Sequence, residues 1–137
     1  MKSNAPIAVA LTFLAQTSFA DGECLNYGPQ VVTLEGRVVL RTFFGPPGYG
    51  ESPKTDSREK QAILVLRRPI CTIANPRDYE DAETDQKEIT LVPGTGMALS
   101  GYSGKRVSVG GTLFHSHTGH HHTAILISAQ AIAKQAD

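Results

Sequence analysis

Five β-branched stretches separated by Gly- and Pro-rich turns run through this sequence. No segment carries the apolar period of a helix longer than a turn. The first stretch, Val31–Phe44 (VVTLEGRVVLRTFF), holds Gly36 in its middle. A mid-strand glycine predicts a bulge or tight bend. The second, residues 62–74, is interrupted by Pro69, which predicts an edge position or a bulge. Residues 88–92, 106–114 and 123–132 follow as the third to fifth strands. Gly45-Pro46-Pro47-Gly48-Tyr49-Gly50 opens a polar loop that runs to Lys60. A second polar loop, residues 75–86, is rich in acid, and Pro93-Gly94-Thr95-Gly96 ends the third strand. Residues 97–103 have room for one short helical turn, weakened by Gly101.

A mostly β chain is therefore predicted. Five short strands with a small helical element between the third and fourth match a five-stranded OB-fold-like barrel with one short helical turn. A small β-sandwich is the alternative.

The N-terminus reads as an export signal. Lys2 precedes a short apolar run from Ile7 to Leu14, and Ser18-Phe19-Ala20 puts small residues at the spacing of a cleavage site after Ala20. The run is shorter than the roughly 20 residues that cross a bilayer, and no second apolar stretch follows. Residues 1–20 are thus expected to be a signal peptide and residues 21–137 one domain, periplasmic or secreted. Of the 13 Lys and Arg against 13 Asp and Glu, only Lys2 lies in the signal, so the mature chain carries a net charge near −1. That balance argues against nonspecific nucleic-acid binding, which rests on basic patches.

The chain has two cysteines, Cys24 and Cys71. An even count in an exported chain predicts one disulfide. The barrel layout agrees: if the first two strands form an antiparallel hairpin, the chain before the first lies near the end of the second.

All five histidines fall within eight residues, in the run FHSHTGHHHT between the fourth and fifth strands. If Thr118-Gly119 were a two-residue hairpin turn, His117 would face His120 and His115 would face His122. All four would then project from one face, with His121 paired to Ser116 on the other. Such a face would bring imidazoles within reach of one transition metal, zinc or copper. A hydrogen-bonded cluster that shapes the loop, or a contact patch for a partner, fits the same composition. No ordered nucleophile–base–carboxylate arrangement is legible, so no catalytic residues are expected. Asp78, Glu80, Asp81, Glu83 and Asp85 form an acidic run without the ordered spacing of a calcium loop, and a solvated charged loop is expected there.

In an OB-fold the loops after the first strand and between the fourth and fifth flank the usual binding face. Here these are the loop from Gly45 to Lys60 and the loop from His115 to Thr123. The first supplies Pro46, Pro47 and Tyr49 as candidate partner-binding residues and the second supplies His121. Arg67 and Arg68 on the second strand are expected to border the same surface. There is no Trp, and aromatics are few on the second and third strands. An aromatic platform for single-stranded nucleic acid is therefore not expected.

Residues 104–124, GKRVSVGGTLFHSHTGHHHTA, resemble the C-terminal signature of an uncharacterised family of short secreted bacterial proteins. Cys24-Leu25-Asn26-Tyr27, Thr42-Phe43-Phe44-Gly45-Pro46-Pro47 and Pro69-Ile70-Cys71 are similar to its upstream parts. Ala124 departs from the family, which has proline there. The resemblance implies a bacterial envelope setting and no particular activity. The combined expectation is a small exported non-enzymatic binding protein that contacts a protein or envelope component through the two loops. Transition-metal binding by His115, His117, His120 and His122 is the alternative.

Overall fold

The computed structural model describes residue 6 and residues 22–136. The expected signal peptide lies outside the described residues apart from residue 6, as does Asp21. Five strands form: β1 (Val31–Phe44), β2 (Arg58–Thr72), β3 (Glu83–Val92), β4 (Arg106–His115) and β5 (Ile125–Lys134). They close into a barrel in the order β1-β2-β3-β5-β4. All pairings are antiparallel except β3 with β5, which run parallel over Thr90–Val92. This is the expected five-stranded OB-fold-like barrel rather than a sandwich, because one sheet closes on itself. A 3-10 turn, Leu99–Tyr102, connects β3 to β4 and drops Leu99 into the barrel mouth. A second, Pro76–Asp78, lies between β2 and β3.

Closure depends on β1, which pairs with β4 through residues 31–37 and with β2 through residues 36–44. The exchange of partners falls at Gly36, the predicted bend. A Cβ there would run into the Val65 carbonyl, so only glycine lets the two backbones approach. Pro69 falls where the β2–β3 register shifts between Val65 and Ile70, the predicted bulge. The acidic stretch is shorter as a loop than expected, because β3 begins at Glu83 and takes its last acids into a strand.

Alternation of side chains puts Val38, Leu64, Ile89, Val107, Val109, Leu113, Ile125 and Ile127 inside, each at most 2% exposed. Burying one such side chain stabilises by about 1.5–3 kcal/mol. An exposed ion pair contributes about 1 kcal/mol or less, so the barrel interior dominates stability.

Cys24 and Cys71 are joined as a disulfide, with Cα atoms 4.6 Å apart. Leu25 holds the same junction by bridging to β2: its N–H donates to the Cys71 carbonyl at 2.8 Å, and its carbonyl accepts from Ile73 N–H at 2.9 Å. Among the described residues, no helix is long and apolar enough to cross a membrane.

Candidate functional site

The histidine loop is not a two-residue hairpin. The β4–β5 ladder ends at the pair His115–Ile125, followed by a Ser116 N–H bond to the Ala124 carbonyl at 2.9 Å. The turn lies further out, with His121 N–H donating to the Thr118 carbonyl at 3.1 Å. Thr-Gly lacks the paired left-handed preference that fixes a two-residue turn, and the segment spreads into a broad loop instead. The expected pairings of His117 with His120 and His115 with His122 do not occur. His115, His117, His120 and His122 therefore do not share one face, and the five rings go to three places.

His115 turns toward β3. Its Nε2 lies 2.8 Å from the Glu83 carboxylate and its Nδ1 3.0 Å from the Ser116 carbonyl, while its backbone N–H donates to Glu80. The Tyr27 ring packs edge-on against it. Tyr27 is tied in turn, donating to the Asp81 carbonyl and accepting from the Thr72 hydroxyl. The Glu83 carboxylate raises the His115 pKa above the usual imidazole value, outweighing the burial that opposes it.

His117 and His121 contact each other edge-on at 4.6 Å, beside the Phe114 ring. His121 Nδ1 accepts the His117 backbone N–H at 3.0 Å, so this nitrogen carries no proton. Burial, and then repulsion from His117, His120 and His122, push the His121 pKa down. One loop thus holds one histidine biased toward the charged form and one biased toward the neutral form.

His120 and His122 reach across to Glu59 on β2. His120 Nδ1 meets one carboxylate oxygen, and His122 Nε2 lies 2.9 Å from the other. The His122 ring stacks flat on Phe43 of β1, 4.2 Å between centroids. The hydrogen bond from His122, opposed by desolvation and reinforced by His120, holds the Glu59 carboxyl below the ordinary glutamate value. Gln61, next along the same face, donates to the His120 carbonyl at 2.7 Å. Among the described residues, no group of three or more His, Cys, Asp or Glu side chains is arranged to hold a metal ion.

The β1–β2 loop forms the other half of the site. The Asp56 carboxylate is 7% exposed and accepts the backbone N–H groups of Gly48, Gly50 and Ser52 at 2.8, 2.8 and 3.0 Å. Burial alone would raise its pKa. The three N–H donors and the neighbouring Arg58 guanidinium outweigh it and hold the carboxyl below the ordinary aspartate value. Around this centre the loop presents Pro46, Pro47 and Tyr49 to solvent. Phe44 carries the Arg58 guanidinium over its ring at 4.0 Å. Tyr49 is 42% exposed, yet its ring closes on the histidine loop, 5.8 Å from the His120 ring. A Cβ on Gly119 would come within 2.8 Å of the Tyr49 ring. Glycine at 119 is what lets the two loops touch.

Of the residues expected at this surface, Tyr49 meets the histidine loop at His120 and Gly119, Pro46 and Pro47 lie exposed in the same loop as Tyr49, and His121 packs beside His117 and Phe114. Arg67 and Arg68 lie apart from these. The β1–β2 loop joins β2 at Arg58, and Arg67 and Arg68 follow nine and ten residues further along that strand, up to about 30 Å of chain at about 3.3 Å per residue. Asp56, Glu59 and Gln61 escaped the sequence reading, and Glu80 and Glu83, expected in a solvated charged loop, are instead bonded to His115. Glu59 and Gln61 precede the apolar run at alternate positions, which marks a shared outward face. Asp56 follows a Gly-rich turn whose N–H groups need an acceptor.

Residues 88–133 match the family described as Domain of unknown function (DUF4431). The expected likeness of the histidine segment to an uncharacterised family is thereby borne out. The DUF4431 match contains all five histidines but none of the acids that hold them, since Glu59, Glu80 and Glu83 lie upstream of it. No curated protein and no solved structure matches the chain.

Proposed function

We propose that this chain is an exported, non-enzymatic binding protein of the bacterial envelope, periplasmic or secreted. It contacts a protein or envelope component through the surface made by its β1–β2 and β4–β5 loops. The supporting observation is the Tyr49–Gly119 contact, which fuses two loops more than sixty residues apart into one surface. The β1–β2 loop is held from within by Asp56 and the β4–β5 loop from β2 by Glu59, so little ordering entropy remains to be lost on binding. Exposed tyrosine beside proline is the composition of an interface centre, where a few aromatic anchors carry most of the affinity. The disulfide fits an oxidising compartment.

A photo-reactive residue in place of Tyr49 tests the reading in bacterial envelope fractions, with the same residue in place of Tyr79 on the β2–β3 loop as the control. The expected result is one crosslinked partner specific to position 49, whose affinity falls at least about tenfold on Tyr49→Ala. Equal capture from both positions, or an affinity indifferent to Tyr49→Ala, overturns it.

A further inference from the structure

Ile63, Thr90 and Leu126 are 0%, 3% and 1% exposed, although none belongs to the barrel interior. They sit side by side on the outer face, Ile63 paired with Thr90 and Thr90 with Leu126. Residues 116–124 are fastened to this side of the barrel through Thr123, His120 and His122, while His117 and His121 pack on Phe114 of β4 and Gly119 meets Tyr49. The Thr123 hydroxyl donates to the Ile125 carbonyl, so it must accept from Thr90, whose N–H lies 3.1 Å away and whose hydroxyl lies 2.7 Å away. Gln61 holds the His120 carbonyl, Glu59 holds both His120 and His122, and Phe43 carries the His122 ring. The covered area is the one that OB-fold barrels use for ligands, between these same two loops.

We propose that residues 116–124 are a lid, closed at neutral pH over the outer face of β2, β3 and β5 and opened by acid. This goes beyond the binding surface proposed above, because the contacts that hold the lid down run to β1, β2 and β3 as well as to Tyr49. The lid carries His117, His120, His121 and His122; the face beneath offers the Glu59 carboxylate to His120 and His122, and the Tyr49 ring packs edge-on against His120. From β1, Glu59 faces uncharged Phe43, and the nearby Arg41 is taken by Glu88 in a two-pronged ion pair. On β2, Arg58 lies over the Phe44 ring, and Lys60 points to the opposite side, beside Leu40. Around His121 stand Phe114 and the other three lid histidines. Acid therefore acts on a patch with one anion and four imidazoles.

Two steps follow. His121 is held below its ordinary value of 6.5, so closure begins to lose free energy as pH falls below 6.5 and continues to lose it down to the lowered folded value. Its protonated Nδ1 no longer accepts the His117 N–H. Glu59 is held below its ordinary 4.5, so its contribution is complete above that value and is lost as pH falls through the lower folded one. At that stage His120 and His122 have lost the carboxylate that holds them. His115 behaves oppositely in the first step: the free energy of its pairing with Glu83 is complete below 6.5, so the base of the lid stays fastened while His121 titrates.

Amide exchange by NMR at pH 7, 5.5, 4 and 3 tests the lid. The Thr90 amide reports on it because its partner is the lid's Thr123 hydroxyl, and the Val109 amide reports on the barrel. The expected result is a protection factor at Thr90 that falls at least tenfold between pH 7 and 3 while Val109 is unchanged. In Glu59→Gln, Thr90 should already be that exposed at pH 7. Constant Thr90 protection in the wild type, or equal losses at Thr90 and Val109, overturns the proposal. If Glu59→Gln does not fold, the wild-type pH series decides alone.

Discussion

His115 and Glu83 meet at 2.8 Å through Nε2, while Nδ1 of the same ring lies 3.0 Å from the Ser116 carbonyl. Both ring nitrogens thus face acceptors, and only the doubly protonated imidazolium can donate to both. The side chains are 17% and 28% exposed, so the pair is sheltered enough to contribute to stability.

Glu83→Gln should therefore move the His115 titration down toward 6.5, read from its imidazole proton shifts. It should cost about 1.5–3 kcal/mol below pH 6, the range for a hydrogen bond to a charged group. Because the folded pKa is raised, this stabilisation is complete below 6.5 and fades as pH rises through the folded value. Urea denaturation of both proteins at pH 5.5 and 8.5 checks the sign: the gap between them narrows at 8.5.

Gly36→Ala should destabilise the barrel by about 2–3 kcal/mol or more. The new methyl meets backbone, the Val65 carbonyl, which cannot turn aside as a flexible side chain would. Because Gly36 pairs with both Leu66 and Val107, a shift there disturbs two strand ladders at once. Thermal melts should show a lower midpoint, while Gly101→Ala, which has open space around it, leaves the midpoint nearly unchanged.

Reduction of Cys24–Cys71 should lower stability by about 2–4 kcal/mol. The bond closes a ring across 47 positions, for which loop entropy alone gives about 4 kcal/mol. The Leu25 bridge to β2 can persist without it, which puts the expected loss below that ceiling. Urea titrations with and without reductant measure the difference.

The barrel was legible because its signals are local. Alternating apolar residues, the bend at Gly36 and the break at Pro69 each act within a few positions and agree with one another. The disulfide was legible because a hairpin between β1 and β2 brings the residues before β1 to the end of β2. The histidine surface was not. Its geometry depends on Glu59 and Glu83, which meet His120, His122 and His115 across more than thirty residues of sequence. Spacing inside the loop cannot reveal partners outside it. The two-residue turn failed for the same reason: contacts to β2 and β3 hold the loop open in a form that its own residues do not specify.

Asp56→Asn should loosen the β1–β2 loop while leaving the barrel folded. An aspartate carboxylate accepts the N–H groups of Gly48, Gly50 and Ser52 together, whereas asparagine offers one acceptor oxygen and an NH2 that opposes the remaining donors. The loop lies outside the core, and the strands it joins pair over residues 36–44 and 58–66 without its help. The melting midpoint should therefore move little. Exchange at the Gly48, Gly50 and Ser52 amides should rise at least about tenfold, and the Tyr49 ring should lose its fixed contact with Gly119. If the two loops bind as one surface, partner affinity falls with this variant as it does with Tyr49→Ala. Unchanged affinity with a loosened loop would mean that the partner does not use the fixed position of Tyr49, and the surface would have to be placed elsewhere.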